Sequence, residues 1–195
     1  MVYPEIINIW FSPTLWSINI ILDMKKRLII LSDLWGKEKS EWLDNYIQNL
    51  KNEFEIEYYD CCELGDVDKS IYTEEILHQQ FVNGGVDKAV QKLIDLEKGK
   101  INILAFSIGG VIGWKFGIES NKIESLYCVS STRLRHESNK PKGIIHLYFG
   151  ALDDFKPQKD WFNKMDLNYD ILNDKIHQVY MDSKFAKQLC TQILE

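Results

Sequence analysis

Residues 101–110 read INILAFSIGG, and the rest of the chain is best understood outward from them. Residues 101–106 form a short apolar run, the pattern of a strand buried on both faces. Helical spacing resumes at 108–118, so Ser107 falls at the junction. A chain that turns so sharply holds this serine in a strained conformation, with its hydroxyl exposed at the strand's C-terminal end. The neighbours two positions away must then be small, because larger side chains would collide as strand and helix fold back. Ala105 and Gly109 meet that demand. Gly109, Gly113 and Gly117 recur every four residues, along one side of the helix. Each glycine inside a helix costs about 1 kcal/mol relative to alanine, so the stripe implies close approach of this helix to a sheet. Tight helix–sheet packing around an inert serine would leave the same stripe, so a chemical reading needs partners elsewhere.

Strand-like and helix-like stretches alternate on either side. Residues 27–31 (RLIIL), 54–59 (FEIEYY), 125–129 and 144–149 read as strands, with a further one at 169–172. Helical spacing marks 40–50, 86–96, a short stretch near Asp160 and a terminal segment at 183–194. Residues 66–83 read as a loop with a turn or two of helix. This order predicts an α/β fold, a mostly parallel twisted sheet with helices on both faces. With 195 residues, and no repeats or Pro/Gly/Ser-rich linkers, a single domain over 24–195 is the simplest organisation.

The apolar fraction of 45% and charged fraction of 27% are ordinary for a globular chain. A net charge of −6 argues against a nucleic-acid partner, which needs a positive surface. Cys61, Cys62, Cys128 and Cys190 form neither a C-x-x-C pair nor a metal spacing with the histidines, and read as buried free thiols of a cytoplasmic protein. Residues 6–22 carry no charge and are followed by Lys25, Lys26 and Arg27. Three readings of 1–23 stay open: translation starting at Met24, an extra packed segment, or a membrane anchor. The last falls short of the roughly 20 apolar residues needed to span, so membrane contact is not expected. No basic leader or small-residue cleavage site marks a signal peptide.

Residues 27–194 resemble the α/β-hydrolase superfamily, in which nucleophile, acid and histidine follow one another in that order. The resemblance implies that the acid follows the next-to-last strand in a G-x-x-D-x-x-x-P-like turn. Gly150-Ala151-Leu152-Asp153-Asp154-Phe155-Lys156-Pro157 stands there, which makes Asp153 the acid and Asp154 its substitute if the turn shifts by one. The base should lie between the last strand and the terminal helix, where His177 is found; Ile176 replaces the glycine that often precedes it in relatives. His78 precedes the nucleophile, His136 precedes the acid, and His146 sits inside a strand. Tetrahedral intermediates need two backbone N–H donors, and the resemblance assigns them to Ile108 and Leu34. Ser32-Asp33 stands where relatives show His-Gly. A carboxylate there opposes the developing charge unless it points away or is paired; alternatively Asp33 and Trp35 contact the substrate.

The implied activity is hydrolysis of a carboxylic ester or thioester through an acyl-enzyme, with neither metal nor organic cofactor. A catalytically silent relative acting as a binding protein is the alternative, favoured by Ser32-Asp33 and Ile176. A nucleotide-binding domain finds no support, since neither G-x-G-x-x-G nor a P-loop lysine is present. Many relatives carry a helical lid where this chain has only residues 130–143, so a minimal or absent lid is expected. An open site suits a small-molecule or carrier-bound acyl substrate. Arg133, Arg135, His136, Lys140 and Lys142 lie in that interval. They are either a docking patch for an acidic acyl carrier protein, as in similar carrier-ester esterases of biotin synthesis, or ordinary solvated charges.

Overall fold

The apolar runs of the central strands lie side by side because they have no polar face to turn to water. In the computed structural model, which describes residues 25–195, strands β1 (Lys26–Leu31), β2 (Phe54–Tyr59), β3 (Ile101–Phe106), β4 (Ile123–Val129), β5 (Ile144–Gly150) and β6 (Asn168–Leu172) form one sheet. Its order is β2-β1-β3-β4-β5-β6, and every pairing is parallel. β3 is buried along its whole length, whereas β6 at the edge is half exposed. The segment 1–23 lies outside the described residues.

The chain steps outward from β1 to β2, crosses back to β3, and then runs outward the other way. Right-handed crossovers therefore send the intervening helices to opposite faces. Helix α1 (Asp44–Leu50) covers one face, later joined by the terminal helix. The chain continues through α2 (Cys61–Leu64), α3 (Glu74–Gln80), α4 (Val86–Leu96) and α5 (Ile108–Ser120), which build the other face. α6 (Lys159–Met165) extends that second layer, and α7 (Ser183–Leu194) returns beside α1. The cores alternate along the strands: Ile29, Leu31, Ile103 and Ala105 face α4 and α5, while Leu28, Ile30, Leu104 and Phe106 face α1 and α7.

Within the segment 66–83 the structure places α3, seven residues or about two turns of helix. Thr73 caps α3 by accepting a hydrogen bond from the N–H of Ile76, with Glu74 and Glu75 in the first turn. That cap-and-acid pattern is a legible start signal. The helix expected over 40–50 begins instead as a 3-10 turn at Glu41–Leu43. Two further 3-10 turns, Thr132–His136 and His177–Met181, fall where no helix was expected. No helix of the described residues is long and apolar enough to cross a membrane.

The glycine stripe of α5 faces the sheet. A Cβ on Gly109 would lie 2.5 Å from the Ser32 carbonyl oxygen and 2.9 Å from that of Leu31. Both obstacles are backbone and cannot swing away. Gly109→Ala should therefore lower stability by about 2–3 kcal/mol, outweighing the gain in helix propensity. Gly99→Ala, whose Cβ would enter open space, should stay within about 0.5 kcal/mol of the parent. Chemical denaturation of the two variants checks the difference.

Candidate active site

The direction of chain progression reverses between β1 and β3, and the C-terminal ends of the strands at such a point leave a crevice. Ser107 ends β3 there with φ 48° and ψ −113°, in the left-handed region that costs a non-glycine residue about 1–3 kcal/mol. Its N–H donates to the carbonyl of Val129 at 2.9 Å, which ties the turn to the end of β4.

The end of β5 supplies a carboxylate. Asp153 sits in the turn after Gly150, and its side chain is 2% exposed. Gly150 is required because the chain approaching from β6 presses against it: a Cβ would meet the carbonyl oxygens of Lys175 and Ile176 at 2.3 and 2.6 Å. That contact brings His177 over Asp153. The Nδ1 of His177 lies 2.7 Å from Asp153 Oδ2, and its Nε2 lies 3.0 Å from Ser107 Oγ. Burial pulls the Asp153 carboxyl up, but the hydrogen bond and charge of His177, the Phe155 N–H and Lys156 hold it below the usual carboxylate range. An ionised Asp153 only accepts, so Nδ1 carries the proton and Nε2 is free to accept from the Ser107 hydroxyl. Asp154 is exposed and takes no part. Ile176 has extended backbone, φ −98° and ψ −173°, so no glycine is needed before His177.

Leu34 and Ile108 line the same cleft as Ser107 and His177. Ile108 opens α5, so its N–H has no carbonyl four residues back to bond. The loop bearing Leu34 is held from behind by two thiols. Cys61 Sγ donates to the Ser32 carbonyl at 3.1 Å and Cys62 Sγ to that of Leu34 at 3.3 Å. All four cysteines are free and buried.

Asp33 departs from the expectation that it contacts substrate. It is fully buried and turned away from the cleft, with Oδ1 accepting from the Trp35 N–H at 2.9 Å and Oδ2 from the Tyr180 hydroxyl at 3.1 Å. Those donors pair it, so it clamps the Leu34 loop to the His177–Met181 turn. Desolvation raises its pKa to about 6, against the pull of those donors and His177.

The cleft has a volume of 610 Å³. Trp35, Arg133 and Arg135 are among its lining. The sequence reading missed its wall on α3, from Glu74, Glu75 and His78, and also Phe155 and Tyr180. The Thr73 cap with two acids behind it was the one signal for that wall. Lys140 is engaged elsewhere, donating to the Asp166 carbonyl at 2.9 Å. Residues 130–143 hold a single 3-10 turn and no helical lid. Among the described residues no three His, Cys, Asp or Glu side chains converge as metal ligands would.

No protein-family model matches the chain, and no curated protein matches it in sequence. Solved structures do match. A predicted CIB-like hydrolase from Thermoplasma acidophilum is 17% identical, with 88% of this chain and 87% of that one covered at a TM-score of 0.65. An alpha-beta serine hydrolase homologue from Coxiella burnetii is 16% identical over 87% and 85% of the two chains, at 0.61. A monoacylglycerol lipase from Paleococcus ferrophilus is 11% identical over 86% and 91%, at 0.60. At such identities the likeness is one of fold, and the fold is that of the α/β-hydrolases.

The buried Asp33 has a consequence for stability. Its folded pKa lies above the ordinary 3.8, so the folded state binds the proton more tightly than the unfolded state. Its penalty is therefore absent below pH 3.8 and grows as pH rises through about 6. Asp33→Asn should be more stable than the parent by about 2 kcal/mol at pH 7.5. The difference should vanish near pH 4, as unfolding curves at the two pH values would show.

Proposed function

We propose that the protein is a serine hydrolase that cleaves a carboxylic ester or thioester through an acyl-enzyme. The observation that carries this reading is the unbroken relay Ser107 Oγ–His177 Nε2, His177 Nδ1–Asp153 Oδ2, open to a substrate-sized cleft. His177 takes the Ser107 proton as the oxygen attacks the acyl carbon. The resulting oxyanion is met by the N–H groups of Ile108 and Leu34. Collapse expels the alcohol or thiol, which receives the proton held on His177. Water then attacks the acyl-serine with His177 again as base, releasing the acid and restoring Ser107. Asp153 keeps the imidazole in the productive tautomer and stabilises the imidazolium.

The two sequence departures that favoured a silent binding protein weigh less once the loops are seen. Asp33 turns its charge away from the cleft, and Ile176 has a backbone any residue adopts. An open cleft with Arg133 and Arg135 on its lining favours small acyl groups, including those carried on coenzyme A or an acidic acyl carrier protein. Four buried thiols fit residence in a reducing cytoplasm.

Hydrolysis of p-nitrophenyl butyrate tests the reading. Ser107→Ala and Asp153→Asn should each lose about 10⁴-fold in kcat/KM, whereas Asp154→Asn should stay within about two-fold of the parent. A fluorophosphonate should label Ser107 in the unaltered chain. Absence of both turnover and labelling would return the protein to the binding class.

A further inference from the structure

The cleft has a positive wall: among the described residues neither of its two charges pairs with a carboxylate, and one of them makes no hydrogen bond either. The turn Thr132–His136 follows β4 and brings Arg133 and Arg135 to the cleft beside Ser107 and His177. Arg135 is committed: its Nη1 donates to the carbonyls of Thr132 at 2.9 Å and Phe155 at 3.3 Å, and its guanidinium lies 5.7 Å from the Phe155 ring. Arg133 is half-buried, and among the described residues its guanidinium enters no ion pair or hydrogen bond. Desolvation and the charge of Arg135 both oppose its own charge, with only Glu137 pulling the other way. Five N–H donors held partly away from water beside a second cation call for an anion.

The position is fixed rather than floppy. Leu134 is fully buried under the turn, and the Ser107 N–H to Val129 bond holds the end of β4 against the nucleophile. Glu74, Glu75 and His78 line the same cleft. Burial and the two arginines hold His78 below its ordinary pKa, so it adds no positive charge near neutral pH. Two carboxylates in the cleft disfavour a dianion such as phosphate, while one carboxylate can pair with Arg133. The leaving group departs past His177, which reprotonates it, and the carboxylate is therefore assigned to the acyl portion as part of the proposal that follows.

We propose that the cleft selects acyl groups with a free carboxylate at their far end, that is, hemiesters or hemithioesters of short dicarboxylic acids, with Arg133 binding that carboxylate. The proposal rests on the hydrolase reading of Ser107.

The test compares p-nitrophenyl hemiadipate with p-nitrophenyl hexanoate, which share chain length and leaving group. The unaltered chain should prefer the hemiadipate. Arg133→Gln should reduce that preference, the ratio of the two kcat/KM values, by about 10- to 100-fold, and Arg133→Lys should restore part of it. Thermal melts would verify that both variants are folded. Equal effects of Arg133→Gln on both esters, or no preference in the unaltered chain, would overturn the proposal while leaving the hydrolase reading intact. If neither ester is cleaved and a fluorophosphonate leaves Ser107 unlabelled, the hydrolase reading fails on its own, and calorimetry with monomethyl adipate decides the rest. Binding that weakens at least ten-fold in Arg133→Gln supports the carboxylate site, and binding that is absent or unchanged removes it.

Discussion

A left-handed backbone at Ser107 is the constraint around which the site is organised. Such a conformation costs an L-residue free energy and persists only where neighbours leave no alternative. Phe106, one residue before, is buried among Trp42, Tyr46 and Tyr180, with ring centroids 4.7, 4.9 and 5.5 Å away. Gly109, two residues after, lies against the backbone of Leu31 and Ser32. Between these anchors the chain has room for only one turn, and that turn presents the hydroxyl. The adjacent strand ends in a similar way: Ser130 has φ 53°, with its own hydroxyl buried and unpartnered among the described residues. Both strained residues lie where the sheet meets the cleft.

Three loops must meet at that hydroxyl, and each is held by bonds that are not themselves chemical in purpose. Gly150 lets the chain at Lys175 and Ile176 pass close enough for His177 to reach Asp153. Asp33 joins the Leu34 loop to the turn bearing His177 through Tyr180. Burying this carboxylate is unfavourable above pH 6, so stability is given up for a fixed geometry. Cys61 and Cys62 hold the same loop from the other side, a role for adjacent thiols that no pairing rule suggests.

Much of this was legible before any coordinates. β2, β3 and α7 have the same limits as their sequence patterns, because an alternating edge strand, a strand buried on both faces and a helix with one apolar stripe each leave a readable period. The short 3-10 turns at Thr132–His136 and His177–Met181 were not legible. A single turn has too few residues to show a period, and its shape is set by what it packs against. α3 lay between these cases, with a readable cap but only seven residues.

The chain's local chemistry thus determined the order of strands and helices and the strained serine, because each depends on residues within a few positions of one another; the turn that carries Asp153 was reached through the family resemblance. Local chemistry did not determine where Asp33 points, which of Arg133 and Arg135 hydrogen-bonds to backbone carbonyls, or that α3 walls the cleft. Those outcomes depend on contacts between segments as far apart as Asp33 and Tyr180. Only the assembled sheet, with its fixed register, sets the distances across which such groups meet.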